Sequence, residues 1–591
     1  MITIKNIYKK GAAVIAFGLT LGLTTSCNDF IDVQPQGVLD KDLAYSSPDD
    51  LVTAAYAALG DDWYSYPFNL WPYGDMSADD CLKGGSGEND TGYHPMEIFS
   101  TLTNDRGEFD ELWYRLYVAI SRCNRALDAL DTNGESTLGA SLAQQRTAEV
   151  KFLRAHFYYK LATMFYSVPW IDLDVYRDNT IEQTGQTSHD ELMQKIIADF
   201  QEAYDVLPAG ELGDDGYGVT GRANKEAAAS YLAKCYLDIA YGDGYESTTG
   251  YSHVNKTYIQ KALEYTNTVA NSVYGYLEDY GDIFLPDYKN SKESIFAVQH
   301  SNKADDNTTY GRANWSNMLN GVWGIWTCGW DFHKPSQNLV NAFKTKNGLP
   351  MFDDYDADHN TLVKNKVDNG FKYDPRLFHT VGMPTFPYKY EKDYTLTTAN
   401  SRTPNTYGYY CSMKECPQRS KGEDYDNPWQ AFAMNDYVFR YTDVMLMRAE
   451  AMIEMGDASN LNAARNIIND IRRRAMNSVD KHISYAADQC EIAVYPEDGW
   501  TQDYARKALR WERRLELAME GHRFFDLRRW GLCSQTLNAY FKSEVNDQYE
   551  DQTYCLYLKD AYFTPEKNEY FPIASNQMLY IPGLYTQNKN Y

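Results

Sequence analysis

Apolar residues recur every three or four positions through several stretches of this 591-residue chain. Across 148–168 the set Val150, Leu153, Phe157, Leu161 and Met164 marks one helical face, and Pro169 stops it because proline offers no N–H to continue the ladder. The same spacing predicts a helix over 191–207, ended by Pro208, and another over 224–240 that Asn224 can cap. The second of these presents Ala228, Tyr231, Leu232, Cys235 and Ile239 on its inner face. Further helices are predicted over 258–273, 436–455, 461–475 and 505–520. Ser294 to Gln299, an apolar run bounded by polar residues, predicts a short strand.

The helices come in pairs with small residues at recurring offsets. Ala449 and Met452, Gly456 at the turn, then Ala464, Ile468 and Ile471 resemble a tetratricopeptide unit, with a turn about three residues longer than usual. Leu232, Ala233 and Tyr236 with Ala262 and Tyr265 look like a second unit carrying a large insertion. Pairs of this kind stack into a superhelix. Residues 60–110 and 275–435 are instead rich in Gly, Asn, Asp, Thr and aromatics, and so much irregular chain rich in rings is expected to be ordered and functional. The expected fold is mainly α: a tetratricopeptide-like superhelix (about 40–60, 108–275 and 436–530) with a large loop-rich lobe (about 60–107 and 276–435) and a few short strands, as one domain over 27–591.

The amino terminus changes where this body is expected to work. Lys5, Lys9 and Lys10 precede an apolar run from Gly11 to Leu23, then Thr24, Thr25, Ser26 and Cys27, the pattern of a secretory signal. The run is shorter than the roughly 20 residues a bilayer span needs. A cysteine at the first mature position resembles a lipoprotein lipobox, with Leu23 one place before the usual leucine, which implies lipidation at Cys27. Removing residues 1–26 takes the net charge from −26 to −29, a surface that argues against nucleic acid. With Cys27 assigned to the lipid, nine of the ten cysteines remain, and Cys411 and Cys416 are close enough for a small loop disulfide. Their spacing has no companion Cys or His pair, so no zinc site is expected.

Candidate chemistry lies in the aromatics: 50 Tyr, 24 Phe and 12 Trp. Four of the twelve tryptophans, Trp315, Trp323, Trp326 and Trp330, fall within sixteen residues among Gly311, Gly321, Gly324 and Gly329. Rings stack on the C–H faces of sugars, and Arg312, Asn314, Asn317, Asn320 and Asp331 can meet hydroxyls. A second cluster has Trp63, Tyr64, Tyr66, Phe68, Trp71, Tyr73 and Tyr93 beside Asp75, Asp79, Asp80 and Asn89. The alternative for each ring is that it glues a long loop to the scaffold. Asp353, Asp354, Asp356 and Asp358 carry oxygen ligands of the kind calcium takes, but without EF-hand order they read as a solvated loop; no cofactor is expected. There is no His-Glu-x-x-His pair, no Gly-x-Ser-x-Gly elbow and no singled-out carboxylate pair, so an enzyme is not expected.

The densest signature is Glu512 to Trp530, where Glu and Arg alternate at helical offsets suited to ion pairs along one face, with Gly521 placed to end the helix. Together with Cys27–Asp32, Pro35 and Gly37, Glu149–Ala155 with Val168-Pro169, Asp374-Pro375-Arg376, Asp443–Ala451, Phe571-Pro572-Ile573 and the final Gln587, Asn588 and Tyr591, it resembles the SusD/RagB family of outer-membrane nutrient-uptake lipoproteins. The stretch from Ser575 to Pro582 departs from the closing motif. The resemblance implies a non-catalytic protein, lipid-anchored in the outer membrane and facing the exterior. It would bind an oligosaccharide or polysaccharide and deliver it to a partner SusC-like TonB-dependent transporter. The family's stacking aromatics lie in loops corresponding roughly to 60–100 and 310–332. A structural lid for the transporter, or capture of peptide or another nutrient, are the other readings.

Overall fold

The computed structural model describes residues 44–60, 69–89, 91–219, 221–242, 254–300, 319–325, 329–363, 371–421, 425–426 and 431–591. The predicted signal segment and Cys27 lie outside them.

The helical scaffold is a stack in which each helix packs on the next. Its members are α1 (Pro48–Ala57), α2 (Gly107–Ala129), α3 (Ala140–Phe165), α4 (His189–Val206), α5 (Lys225–Ala240), α6 (Lys256–Ala270), α7 (Tyr441–Met455), α8 (Ala458–Asn477) and α9 (Gln502–Glu516). From α2 onward neighbours in sequence are neighbours in space, and α6 packs directly on α7 although 170 residues intervene. The fold is mainly α, as the periodicity predicts, and the intervening chain forms the loop-rich lobe beside it. Helix starts follow the capping chemistry: Asn224 Oδ1 accepts from the Ala227 amide at 2.8 Å, and Asp457 Oδ1 from the Asn460 amide at 3.1 Å.

Two boundaries differ from expectation. Residues Asp436–Arg440 are a strand, not a helix start; they pair antiparallel with the predicted strand, now Ser294–Val298, with Asp436 opposite Val298 and Arg440 opposite Ser294. The α7–α8 turn is also short, because Gly456, at φ 85°, ends α7 and Asp457 immediately caps α8. The polar run Ala458–Asn460 hid that first turn. Helix α2 was not predicted as a separate element.

The lobe is held by short antiparallel pairs. Cys81–Gly84 pairs with Phe332–Pro335, Val381–Gly382 with Cys411–Ser412, and Pro387–Tyr388 with Glu391–Thr395. Cys411 and Cys416 are both free thiols in its small core, and Cys416 Sγ donates to the Asn320 carbonyl, so the loop disulfide is not formed. The acids Asp353 and Asp356 are engaged by protein groups: Asp353 by Lys507, and Asp356 by Asn338, Asn341 and Ser543.

The 512–530 signature is structural, but apart from Asp526, which Arg513 and Arg529 share, its partners come from distant segments and are buried. Glu512 meets Arg376 at 2.7 Å and Arg472 at 3.1 Å; Glu516 meets Arg376 at 3.0 Å and Arg440 at 2.8 Å, and also Arg474. Arg513 bridges Asp443 and Asp526, Arg514 reaches Asp79 and Asp80, and Arg529 holds Glu450. Burial works against the charge on Glu516, but Arg474, Arg440 and Arg376 outweigh it and hold the carboxyl well below the usual range. Helix α9 ends at Glu516, and Gly521, at φ 81°, lies in the turn before the next helix. These pairs weld α7, α8 and α9 to the lobe. Because each charge is desolvated, losing one partner costs far more than the pair contributes.

Candidate functional site: an aromatic platform

The two aromatic segments singled out in the sequence meet in space. Gly84 lies opposite Phe332 in the antiparallel pair, the Gly85 amide donates to the Asp331 carbonyl at 3.0 Å, and Thr403 Oγ1 donates to the Gly85 carbonyl at 2.6 Å. Three segments, 84–89, 329–332 and 399–403, are thereby tied together. Glycine is required where residues 329–332 return against 319–325: a Cβ on Gly329 would stand 2.2 Å from the Gly321 carbonyl oxygen.

Asp331 anchors this junction. It is buried at φ 61°, and its carboxylate accepts from Lys334 Nζ and from the Arg402 amide, each at 2.8 Å. Burial raises its pKa, while Lys334 favours the charge. The Arg402 guanidinium lies over two indoles, its carbon 5.3 Å from the Trp323 ring centre and 5.4 Å from that of Trp330. Asn400 Nδ2 donates to the Trp323 carbonyl at 3.0 Å and fixes that side. Trp330 is 38% exposed and Trp323 is half-buried. Each cation–π contact is worth about 0.5–1 kcal/mol at such a site, which favours this arrangement of the rings before any ligand arrives. The arrangement presents indole surface and polar edges side by side to solvent.

Beneath the platform, His333 is clamped between Asp75 at 3.0 Å and Glu415 at 2.6 Å. Burial alone lowers the imidazole pKa, but the carboxylates of Glu415 and Asp75 outweigh it and raise it well above its ordinary value. Trp71 packs over it with ring centres 4.8 Å apart, so the cluster braces the loops from below.

The predicted site residues divide accordingly. Trp323 and Trp330 are together on the platform, and Asn89 is exposed on the adjoining 84–89 loop. Trp71, Tyr73, Tyr93 and Asp79 are instead buried: Trp71 packs against Tyr93 and Phe332, Tyr73 against Phe571, and Asp79 is held by Arg514 and Arg523. Their faces are covered by protein, which is the correction the structure makes to the second aromatic cluster. Trp63, Tyr66, Arg312, Asn314, Trp315 and Trp326 lie outside the described residues. Sequence reasoning missed Arg402 and Asn400, which stand in an unpatterned polar stretch some seventy residues from the tryptophans they support.

Comparison with known proteins places this geometry in context. A family model described as "SusD family" matches residues 292–591, and one described as "Starch-binding associating with outer membrane" matches residues 29–237. A SusD-like protein of Formosa agariphila is 25% identical over 88% of this chain and 91% of its own length; one of Bacteroides ovatus is 23% identical over 88% and 82%. Among solved structures, a SusD homolog of Bacteroides thetaiotaomicron superposes with a TM-score of 0.69 at 21% identity, covering 93% of this chain and 97% of that one. A surface glycan-binding protein A of the same organism, solved with laminarihexaose, gives a TM-score of 0.60 at 20% identity over 92% and 98%.

Proposed function

Because this chain belongs to the SusD family, we propose that it binds an oligosaccharide or polysaccharide at the cell surface without cleaving it and passes it to a SusC-like TonB-dependent transporter. The observation that carries the reading is the Trp323–Arg402–Trp330 stack: two partly exposed indoles held at fixed spacing on a rigid junction. Sugar rings stack on such faces, and preset side chains lower the ordering cost of binding. A relative solved with laminarihexaose supports a glycan as the ligand class. Cys27 would carry the lipid anchor, holding the protein on the outer membrane and facing outward; no helix among the described residues is long and apolar enough to cross a membrane. The ligand sites Trp323, Trp330 and Asn89 are proposed together with those of the loop segments beyond the described residues. Retardation of the protein in gels carrying dissolved polysaccharides tests the reading.

A further inference from the structure

The tryptophan platform shares no residue with a second aromatic cleft, formed where helix α2 meets the 169–182 segment and the carboxyl-terminal 577–585 segment. Its volume is about 490 Å³, within the range of small-molecule sites. One wall is Trp113, with Tyr117 at 5.3 Å and Tyr585 at 6.0 Å between ring centres. At the mouth, Tyr114 is 60% and Tyr580 70% exposed, and Leu579 beside it 70%. Apolar surface gathered at one place, unlike singly scattered residues, marks interaction sites and ligand-binding grooves.

The polar chemistry narrows the occupant. Tyr580 donates its hydroxyl to Glu182 Oε1 at 3.0 Å across the mouth, and Ser121 adds a hydroxyl on the α2 side. Among the described residues lining the cleft there is one carboxylate and no lysine, arginine or histidine. An anionic ligand would therefore enter an uncompensated negative field, whereas a neutral ring with C–H faces and hydroxyl edges meets aromatic walls and hydroxyl and carboxylate partners. We propose that this cleft is a second glycan-contact site, taking a short stretch of a neutral oligosaccharide. The inference rests on the glycan-binding reading above. Two separated sites would let one long polysaccharide be held at two points, raising retention without a tighter single site.

Hydrogen–deuterium exchange of the purified protein, with and without each member of a panel of neutral glucan, xylan and mannan hexasaccharides, reads both sites at once. The account expects at least one member to protect 577–585 and the Trp113 turn separately from 321–332, and calorimetry to count two sites. Tyr114→Ala with Tyr580→Ala, both solvent-facing, should abolish the first protection only and reduce the count to one; Tyr580→Phe, which keeps the ring, should retain it. Protection confined to 321–332 with one site overturns this inference and leaves the proposed function standing. Protection of 577–585 by the transporter but by no sugar also overturns it, in favour of a protein contact. No protection by any member overturns both.

Discussion

Gly84 faces Phe332 across the antiparallel pair that joins the two loop segments, and a Cβ built on Gly84 would stand 2.1 Å from the Asp331 carbonyl oxygen. Its φ of 78° is one that side chains rarely adopt. Gly84→Val should therefore destabilise the fold by about 2–3 kcal/mol and displace Asp331, which carries the Arg402 amide. Urea denaturation gives the first effect; weaker retention on a bound polysaccharide gives the second. A variant of unchanged stability would show that the junction is not fixed as described.

Glu516 gathers Arg376, Arg440 and Arg474 in the interior. Glu516→Gln keeps the shape and removes the charge, leaving three desolvated guanidinium groups undercompensated, so a loss of about 3–5 kcal/mol is expected in chemical denaturation. Its carboxyl is held below the usual range, as are those of Asp526 and of Asp79, the last lowered to about 2 by Arg514 and Arg523 against the effect of burial. Depressed carboxyls contribute stability that is present above their unfolded pKa of about 4 and is lost as pH falls through the folded values. The wild type should thus destabilise steeply below about pH 4, and Glu516→Gln less steeply.

Glu544 and Asp547 behave in the opposite sense. Burial raises both carboxyls well above their ordinary values, and their mutual repulsion adds to it for Glu544. A raised carboxyl contributes stability that is full below the unfolded pKa of about 4 and is lost as pH rises through the folded value. Asp547→Asn can still accept from His359, the partner of Asp547 Oδ1, and removes one of the two charges. Its stability relative to wild type should rise as pH increases above the unfolded carboxyl pKa of about 4, on the order of 1 kcal/mol. A difference independent of pH would contradict the assignment.

The described cysteines offer a covalent check. Eight are free, seven of them buried, and burial pushes thiols such as Cys81, Cys123 and Cys411 up to about 12. Thiolate is the reactive form. An aromatic disulfide reagent should label almost none of these eight in the native protein and all of them after denaturation without reductant. Failure to label Cys411 and Cys416 in the denatured chain would restore the loop disulfide.

The scaffold was legible in the sequence because a helix that buries one face must repeat its apolar residues at 3.6-residue spacing; α3 to α6 show that plainly. The strand Asp436–Arg440 was not separable from the helix that follows, since its partner Ser294–Val298 lies some 140 residues away. The charges of 512–530 gave away their importance but not their partners, because Arg376, Arg440 and Arg474 reach them only through tertiary folding. For the site, composition found the right loops and could not tell Trp71 from Trp330. The two have the same chemistry and similar neighbours, yet one roofs the buried His333 ring and the other faces water. Arg402 carried no local pattern at all.

The platform is tested most directly by affinity electrophoresis on a panel of polysaccharides, comparing wild type with Trp323→Ala, Trp330→Ala and the double variant. Both rings are partly exposed, so the variants should fold, as circular dichroism will verify. On every polysaccharide that retards the wild type, each single variant should lose about 1 kcal/mol of binding, roughly a fivefold weaker dissociation constant, and the double variant more. Unchanged retardation of the folded double variant on all of them would contradict the assignment of Trp323 and Trp330 as the surface that holds the glycan.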